Sequence, residues 1–218
     1  MSTTVLLVDD HQMMRDGLRA VIEKEPELKV VGEADNGRAA VELARNLSPD
    51  VVVMDIAMPD MNGIEATRQI RAENPDVKVI VLSTHEDERY VRATLDAGAL
   101  AYVLKKAASD ELFRAIQAAT RDQYYLSPGI TGAIVRDWAR RSTPGDNGSA
   151  HSVLSARERE VLQLLAEGKT SRQIASRLYT SVKTVETQRR EIMRKLDIHS
   201  IAELTKYAVR EGLTRLES

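Results

Sequence analysis

The sequence predicts an α/β fold, a doubly wound five-stranded parallel sheet, followed by a small all-α four-helix domain. Three observations predict it. From the N-terminus to about residue 120, five short apolar runs alternate with five segments of helical periodicity. Residues 142–150, Ser-Thr-Pro-Gly-Asp-Asn-Gly-Ser-Ala, offer nothing to anchor a core and read as a linker. After them, helix-capping signals punctuate the remaining 66 residues of a 218-residue chain, a length that suits two domains.

The strand candidates are Val5 to Val8, Val30-Val31, Val51 to Met54, Val79 to Leu82 and Ala101 to Leu104. All are apolar on both faces, as strands buried in a parallel sheet are. Helical spacing falls on Met13 to Lys24, Gly37 to Asn46, Gly63 to Glu73, Asp87 to Ala97 and Asp110 to Arg121. Right-handed crossovers between such repeats place helices on both faces, and ligands then sit beyond the carboxyl ends of the strands. One more short helix is expected at Ile130 to Arg141. The expected domains are 1–125, a connecting helix and linker at 126–152, and 153–218.

In the last segment, Ser155 with Glu158, Thr170 with Gln173 and Ser200 with Glu203 each fit a capping box. Ser181 is a fourth N-cap, and Gly168 stands where a left-handed C-cap is wanted. The helix from Val182 to Leu196 is amphipathic. Val182, Val185, Ile192 and Leu196 are expected to face inward, with Lys183, Glu186, Thr187, Arg190 and Arg194 on the other side. With the shorter helix Ser171 to Leu178 before it, this makes a helix-turn-helix, whose second helix suits the major groove.

Composition removes several classes of function. The chain has no cysteine, which excludes disulfide scaffolds, cysteine-ligated zinc, iron–sulfur clusters and thiol catalysis. Aromatic residues are only 4%, so large base-stacking platforms are not expected. Apolar runs are strand-sized, far below the roughly 20 residues of a membrane span, and no basic region precedes the first of them. A cytoplasmic protein without a membrane partner is expected. Charge is unevenly divided: residues 1–152 carry a net −6 and residues 153–218 a net +4. An acidic half is joined to a basic half able to meet nucleic acid.

Chemistry concentrates at the strand ends. Asp9 and Asp10 follow the first strand, Asp55 the third, Ser83 the fourth and Lys105 the fifth. The fold brings these ends together, and clustered carboxylates need a cation to share their space. Mg²⁺ is the natural one, and with a lysine and a hydroxyl the set describes phosphoryl chemistry on a nucleophilic carboxylate.

Asp9-Asp10, the stretch Met54-Asp55-Ile56-Ala57-Met58-Pro59-Asp60-Met61-Asn62-Gly63, Ser83 and Tyr102-Val103-Leu104-Lys105 resemble the flavodoxin-like receiver domain of two-component response regulators, over about residues 3–123. The resemblance implies that Asp55 accepts a phosphoryl group from a sensor histidine kinase. It implies that Asp10, Asp55 and the Ala57 carbonyl bind Mg²⁺, with Asp9 helping through water. Ser83 and Lys105 would contact the phosphoryl oxygens, and Tyr102 matches the aromatic that turns inward on activation. Pro59 fixes φ and Gly63 permits positive φ, which would shape the loop that presents Ala57.

Leu154-Ser155-Ala156-Arg157-Glu158-Arg159-Glu160-Val161-Leu162, Gly168 to Ala175 and Ser181 to Glu186 resemble the LuxR class of DNA-binding domain over about 153–216, so the whole chain resembles a NarL/FixJ-type regulator. By that resemblance Glu186, Thr187 and Arg190 face bases of double-stranded DNA, while Lys183, Thr184 and Arg189 lie near phosphates. Gln188 replaces a histidine common there. Ile201, Leu204, Thr205 and Ala208 of the last helix would form the contact of a homodimer on two half-sites. The expected function is a phosphorylation-switched transcription factor, not an enzyme. An aspartate-based phosphatase would place a second Asp where Ala57 stands, and a flavin carrier would need donors where Asp9-Asp10 stand.

Overall fold

A computed structural model of the chain describes residues 2–106, 109–132, 134 and 153–214. The chain divides into two compact units, Met1–Thr143 and Pro144–Ser218. The expected linker at 142–150, and the expected helix beyond residue 134, lie outside the described residues.

In the first unit the order is β1 (Thr3–Val8), α1 (Gln12–Ile22), β2 (Leu28–Ala34), α2 (Gly37–Leu47), β3 (Val51–Asp55), α3 (Gly63–Glu73), β4 (Lys78–Ser83), α4 (Glu88–Asp96), β5 (Ala101–Leu104), α5 (Ser109–Ala119) and β6 (Tyr125–Leu126). The sheet runs β2-β1-β3-β4-β5-β6, every pairing parallel. Side chains alternate across it with period two. Leu6, Val8, Val52, Met54, Val79, Val81 and Tyr102 join one apolar cluster with residues of α2, α3 and α4. Val5, Leu7, Val51, Val53, Ile80, Leu82 and Val103 join another with Ile22 of α1 and Leu112 and Ile116 of α5. Two covered faces explain why the strand sequences carry no polar alternation.

The sheet has a sixth strand where five were expected. Two residues are too short to leave a hydrophobic pattern, so only backbone geometry reveals it: Tyr125 N donates to the Leu100 carbonyl at 3.0 Å and Ser127 N to the Tyr102 carbonyl at 3.0 Å. The otherwise open edge of β5 is thereby paired. The helical turn at 128–132 follows, with Ile130 buried in the cluster that holds Tyr102. The start of the expected connecting segment is thus built into the first unit.

Gly63 also serves differently from expectation. Its φ is not among the positive values. A Cβ there would lie 1.9 Å from the carbonyl oxygen of Asp55, so glycine is required because α3 starts against the backbone of the strand it follows.

The second unit contains α6 (Ala156–Ala166), α7 (Ser171–Arg177), α8 (Val182–Leu196) and α9 (Ile201–Arg210) around a core that includes Leu162, Leu165, Ile174, Val185, Ile192 and Leu204. The capping boxes at Ser155/Glu158 and Thr170/Gln173 form in full. The third forms by half: Ser200 caps the Glu203 amide, but the Glu203 carboxylate takes the Ser200 hydroxyl at 3.0 Å and the His199 amide at 3.4 Å. Gly168 takes φ +75°, as its C-cap position requires. Between α7 and α8 the chain reverses through Tyr179 at φ +48°, and Thr180 N donates to the Ala175 carbonyl.

Two expectations for this unit fail on burial. Val182, the first residue of α8, is 43% exposed rather than inward, because the apolar stripe is covered only from Val185 onward. Leu204 and Ala208 are 1% and 0% exposed, in the stripe of α9 that packs on α6. A stripe that closes the domain's own core cannot also meet a partner, which leaves Ile201 exposed and Thr205 half-buried on α9.

Candidate functional site

Parallel register sets the site. Asp55 ends β3 opposite Leu82, and Ser83, one residue further, lies opposite Leu104, with Lys105 next in the chain. On the other side Val8 pairs Met54, so Asp9 emerges beside Asp55. The carboxyl ends of β1, β3, β4 and β5 therefore deliver Asp9, Asp10, Asp55, Ser83 and Lys105 to one edge of the sheet, as the strand-end argument required.

Asp9 and Asp55 are nearly sealed, at 1% and 3% exposure. Lys105 Nζ lies 2.7 Å from Asp9 Oδ2 and 2.9 Å from Asp55 Oδ2. Asp9 Oδ1 accepts from the His11 amide at 2.9 Å, and the exposed His11 ring places Nδ1 2.7 Å from Asp10 Oδ1. Ligand atoms of Asp9, Asp10, His11 and Asp55 all fall within 4.8 Å of one another.

Burial pushes the Asp55 carboxyl above its ordinary value, Lys105 opposes the rise, and Asp9 and Asp10 reinforce it. Burial pulls Lys105 down, but Asp55 and Asp9 outweigh it and the ammonium is held above its ordinary value. Two of the three carboxylates thus share one lysine. The three carboxylates bring hard oxygen donors together, which fits a divalent cation such as Mg²⁺.

The loop after β3 tightens where the Met58 and Gly63 amides both donate to the Ile56 carbonyl, at 3.1 and 2.9 Å, with Ala57 half-buried between them. Across the site, Ser83 Oγ accepts from the His85 amide at 3.0 Å. Tyr102 is fully buried and points inward, its hydroxyl donating to the His85 carbonyl at 2.8 Å. The His85 ring stacks on Tyr90 with centroids 4.1 Å apart. Burial pushes the Tyr102 phenol well above its ordinary value. The hydroxyl residue, the buried aromatic and the β4–α4 loop are one connected unit.

Three contributors escaped the sequence reading. Arg15 of α1 donates to the Asp9 carbonyl at 2.6 Å and pairs with Glu33 at 3.2 Å, fixing the backbone under the acidic pair. Ser127 Oγ accepts from Leu104 N at 3.1 Å and donates to the Glu111 carboxylate, bracing the end of β5 beside Lys105. Ser171 donates to Glu186. Each has at least one partner far along the chain, Glu33 for Arg15, Leu104 and Glu111 for Ser127 and Glu186 for Ser171, which no local pattern records.

On α8, Lys183, Thr184, Thr187 and Arg190 are exposed, and Glu186 and Arg189 half-buried. Arg190 folds along its own helix, with Nε donating to the Glu186 carbonyl at 3.3 Å and Nη2 to Thr187 Oγ1 at 3.4 Å. Arg189 lies 4.0 Å from the Glu186 carboxylate. All six expected DNA-facing residues belong to this one helix.

Residues 5–117 match the family described as the response regulator receiver domain, and residues 152–208 the family of bacterial regulatory proteins of the luxR type. The transcriptional regulatory protein LiaR of Bacillus subtilis is 42% identical over 96% of this chain and 98% of its own. The chain is a NarL/FixJ-type response regulator. The response regulator UvrY of Escherichia coli is 37% identical to it over 98% of this chain and 97% of its own. Among solved structures, that of the response regulator RcsB in complex with DNA is 27% identical, covers 95% of this chain and 98% of its own, and superposes with a TM-score of 0.60. NarL/FixJ-type regulators carry a receiver and a LuxR-type DNA-binding domain, and the family is one of transcription regulators rather than enzymes. No helix among the described residues of this regulator is long and apolar enough to cross a membrane.

Proposed function

We propose that this regulator is phosphorylated on Asp55 by a sensor histidine kinase and that the phosphoryl group controls its dimerisation and its grip on promoter DNA in the cytoplasm. The supporting observation is the buried Asp55 carboxylate, held 2.9 Å from Lys105 at the end of β3, with Ser83 at the end of the adjacent strand β4. A carboxylate oxygen of Asp55 attacks phosphorus as the bond to the kinase imidazole breaks, and the imidazole takes up a proton. Asp10, Asp55 and the Ala57 carbonyl would hold Mg²⁺, with Asp9 beside them, and the ion would neutralise phosphoryl charge. Lys105 and Ser83 take the remaining oxygens.

Ser83 is bonded to the His85 amide and Tyr102 to the His85 carbonyl, so drawing the Ser83 hydroxyl toward a phosphate pulls on the loop that Tyr102 anchors. The receiver is assigned to 1–125, the connection to 126–152 and the DNA-binding domain to 153–218, with Leu126, Ser127 and Ile130 at the start of the connection packed into the receiver's sheet edge and core. Lys183, Thr184 and Arg189 lie along phosphates, while Glu186, Thr187 and Arg190 address base edges. Ile201 and Thr205 remain as the dimer contact on α9. Two half-sites add their contacts where one domain binds weakly.

The test is duplex binding before and after exposure to a small acyl-phosphate donor with Mg²⁺. The wild-type chain gains affinity and dimerises, and Asp55→Asn does neither. Equal gains in both proteins would refute the assignment.

A further inference from the structure

A carboxylate on the face of a helix meant for DNA is an anomaly in need of a reason. Glu186 sits in the second turn of α8 among Lys183, Thr187 and Arg190, where phosphates on either side of a groove repel it. Against DNA such a charge contributes favourably where it meets a donor on a base. In the major groove cytosine presents its N4 amino group with no acceptor beside it, whereas adenine places N7 next to its amino group and guanine offers only acceptors. Glutamate on this face therefore favours cytosine.

The side chain is also held. Ser171, the first residue of α7, donates its hydroxyl to Glu186 Oε1 across the junction of the two helices. Arg189 approaches the other oxygen at 4.0 Å. Ser171 is not needed to cap its helix, because Thr170 and Gln173 already form that box. Its hydroxyl is spent on Glu186, which keeps one carboxylate oxygen directed and reduces the rotamer freedom lost on binding.

We propose that Glu186 makes this regulator select cytosine at one position of each half-site, and that Ser171 is the positioning residue that sharpens the selection. The inference rests on the assignment of α8 to the major groove. It adds the identity of the base and a residue outside the recognition helix.

The experiment is sequencing of duplexes bound from a random pool by the full chain and its variants, with the affinity for a fixed unrelated duplex measured alongside. The wild type should enrich cytosine over other bases at one position, with discrimination on the order of tenfold. Glu186→Gln should move the preference at that position to adenine, which a carboxamide reads through N6 and N7. Glu186→Ala should make the position degenerate while binding to the unrelated duplex tightens. Ser171→Ala should keep the cytosine but reduce its enrichment several-fold, and Ser171→Thr should restore it. A position profile indifferent to Glu186, or a Ser171→Ala profile identical to wild type, would overturn the inference and leave the groove assignment standing. Absence of any sequence enrichment by the wild-type chain would overturn both.

Discussion

Gly63 and Gly17 make a pair that separates two uses of glycine. Gly63→Ala drives a methyl group into the Asp55 carbonyl, so the variant should lose on the order of 2–3 kcal/mol or more in thermal unfolding and bind Mg²⁺ poorly. Gly17, in mid-α1 with nothing within 4 Å of its virtual Cβ, should instead gain about 0.5–1 kcal/mol as alanine. Asp55 carries a prediction of its own sign. Because its folded value is raised, the ionised form costs stability at neutral pH, and that cost is relieved as pH falls through the raised value. Asp55→Asn should therefore melt higher than wild type in a chelator. Added Mg²⁺ should stabilise the wild type, by about 1.4 kcal/mol at tenfold above its dissociation constant, and the variant less. A variant that melts lower in the chelator contradicts the account. Asp9, Asp10, Asp55, Ser83 and Lys105 were legible in the sequence because strand ends are, and a parallel sheet fixes where they meet. The need for glycine at position 63 is not legible, since the approach of a helix to a strand it follows has no signature in the chain.

Elements differ in how plainly the sequence declares them. Long strands buried on both faces and helices opened by Ser or Thr caps are visible as patterns. β6 is not, since two residues whose role is to satisfy the edge of β5 carry no period. Its consequence is measurable. Ser127→Ala leaves the buried Leu104 amide without its acceptor and should cost about 1–3 kcal/mol of receiver stability in denaturant unfolding. An unchanged midpoint would contradict that bracing role. In the second unit, Glu158 lies 2.7 Å from Lys195, tying α6 to the end of α8. Burial raises the Glu158 carboxyl, but Lys195 and the Ser155 amide and hydroxyl outweigh it, and its value is held below the ordinary 4.5. The stability this contributes is present above pH 4.5 and lost as pH falls through the lowered value. Thermal melting of the DNA-binding domain should drop across that acid window, and Lys195→Met should flatten the drop. The helix stripes are legible in the sequence, but neither the exposure of the first residue of α8 nor the use of the α9 stripe is. Val182 lies beyond the covering helices, and Leu204 and Ala208 serve the core because a four-helix domain needs all its apolar stripes for itself.

The whole molecule joins an acidic receiver to a basic LuxR-type DNA-binding domain, and the net −6 of residues 1–152 against +4 of residues 153–218 makes that division legible in the sequence. If α8 enters the groove among phosphates, log affinity for duplex falls linearly with log salt, and Lys183→Ala reduces that slope by about 1 per half-site. An unaltered slope would remove Lys183 from the phosphate contacts. The switch begins with phosphoryl transfer to the receiver. It is tested most directly by exposing the full chain to a small acyl-phosphate donor with Mg²⁺, reducing the product with borohydride and locating the modified residue by mass spectrometry. A single modification at Asp55, dependent on Mg²⁺ and missing from Asp55→Asn, is the predicted result; modification elsewhere, or none, would contradict it.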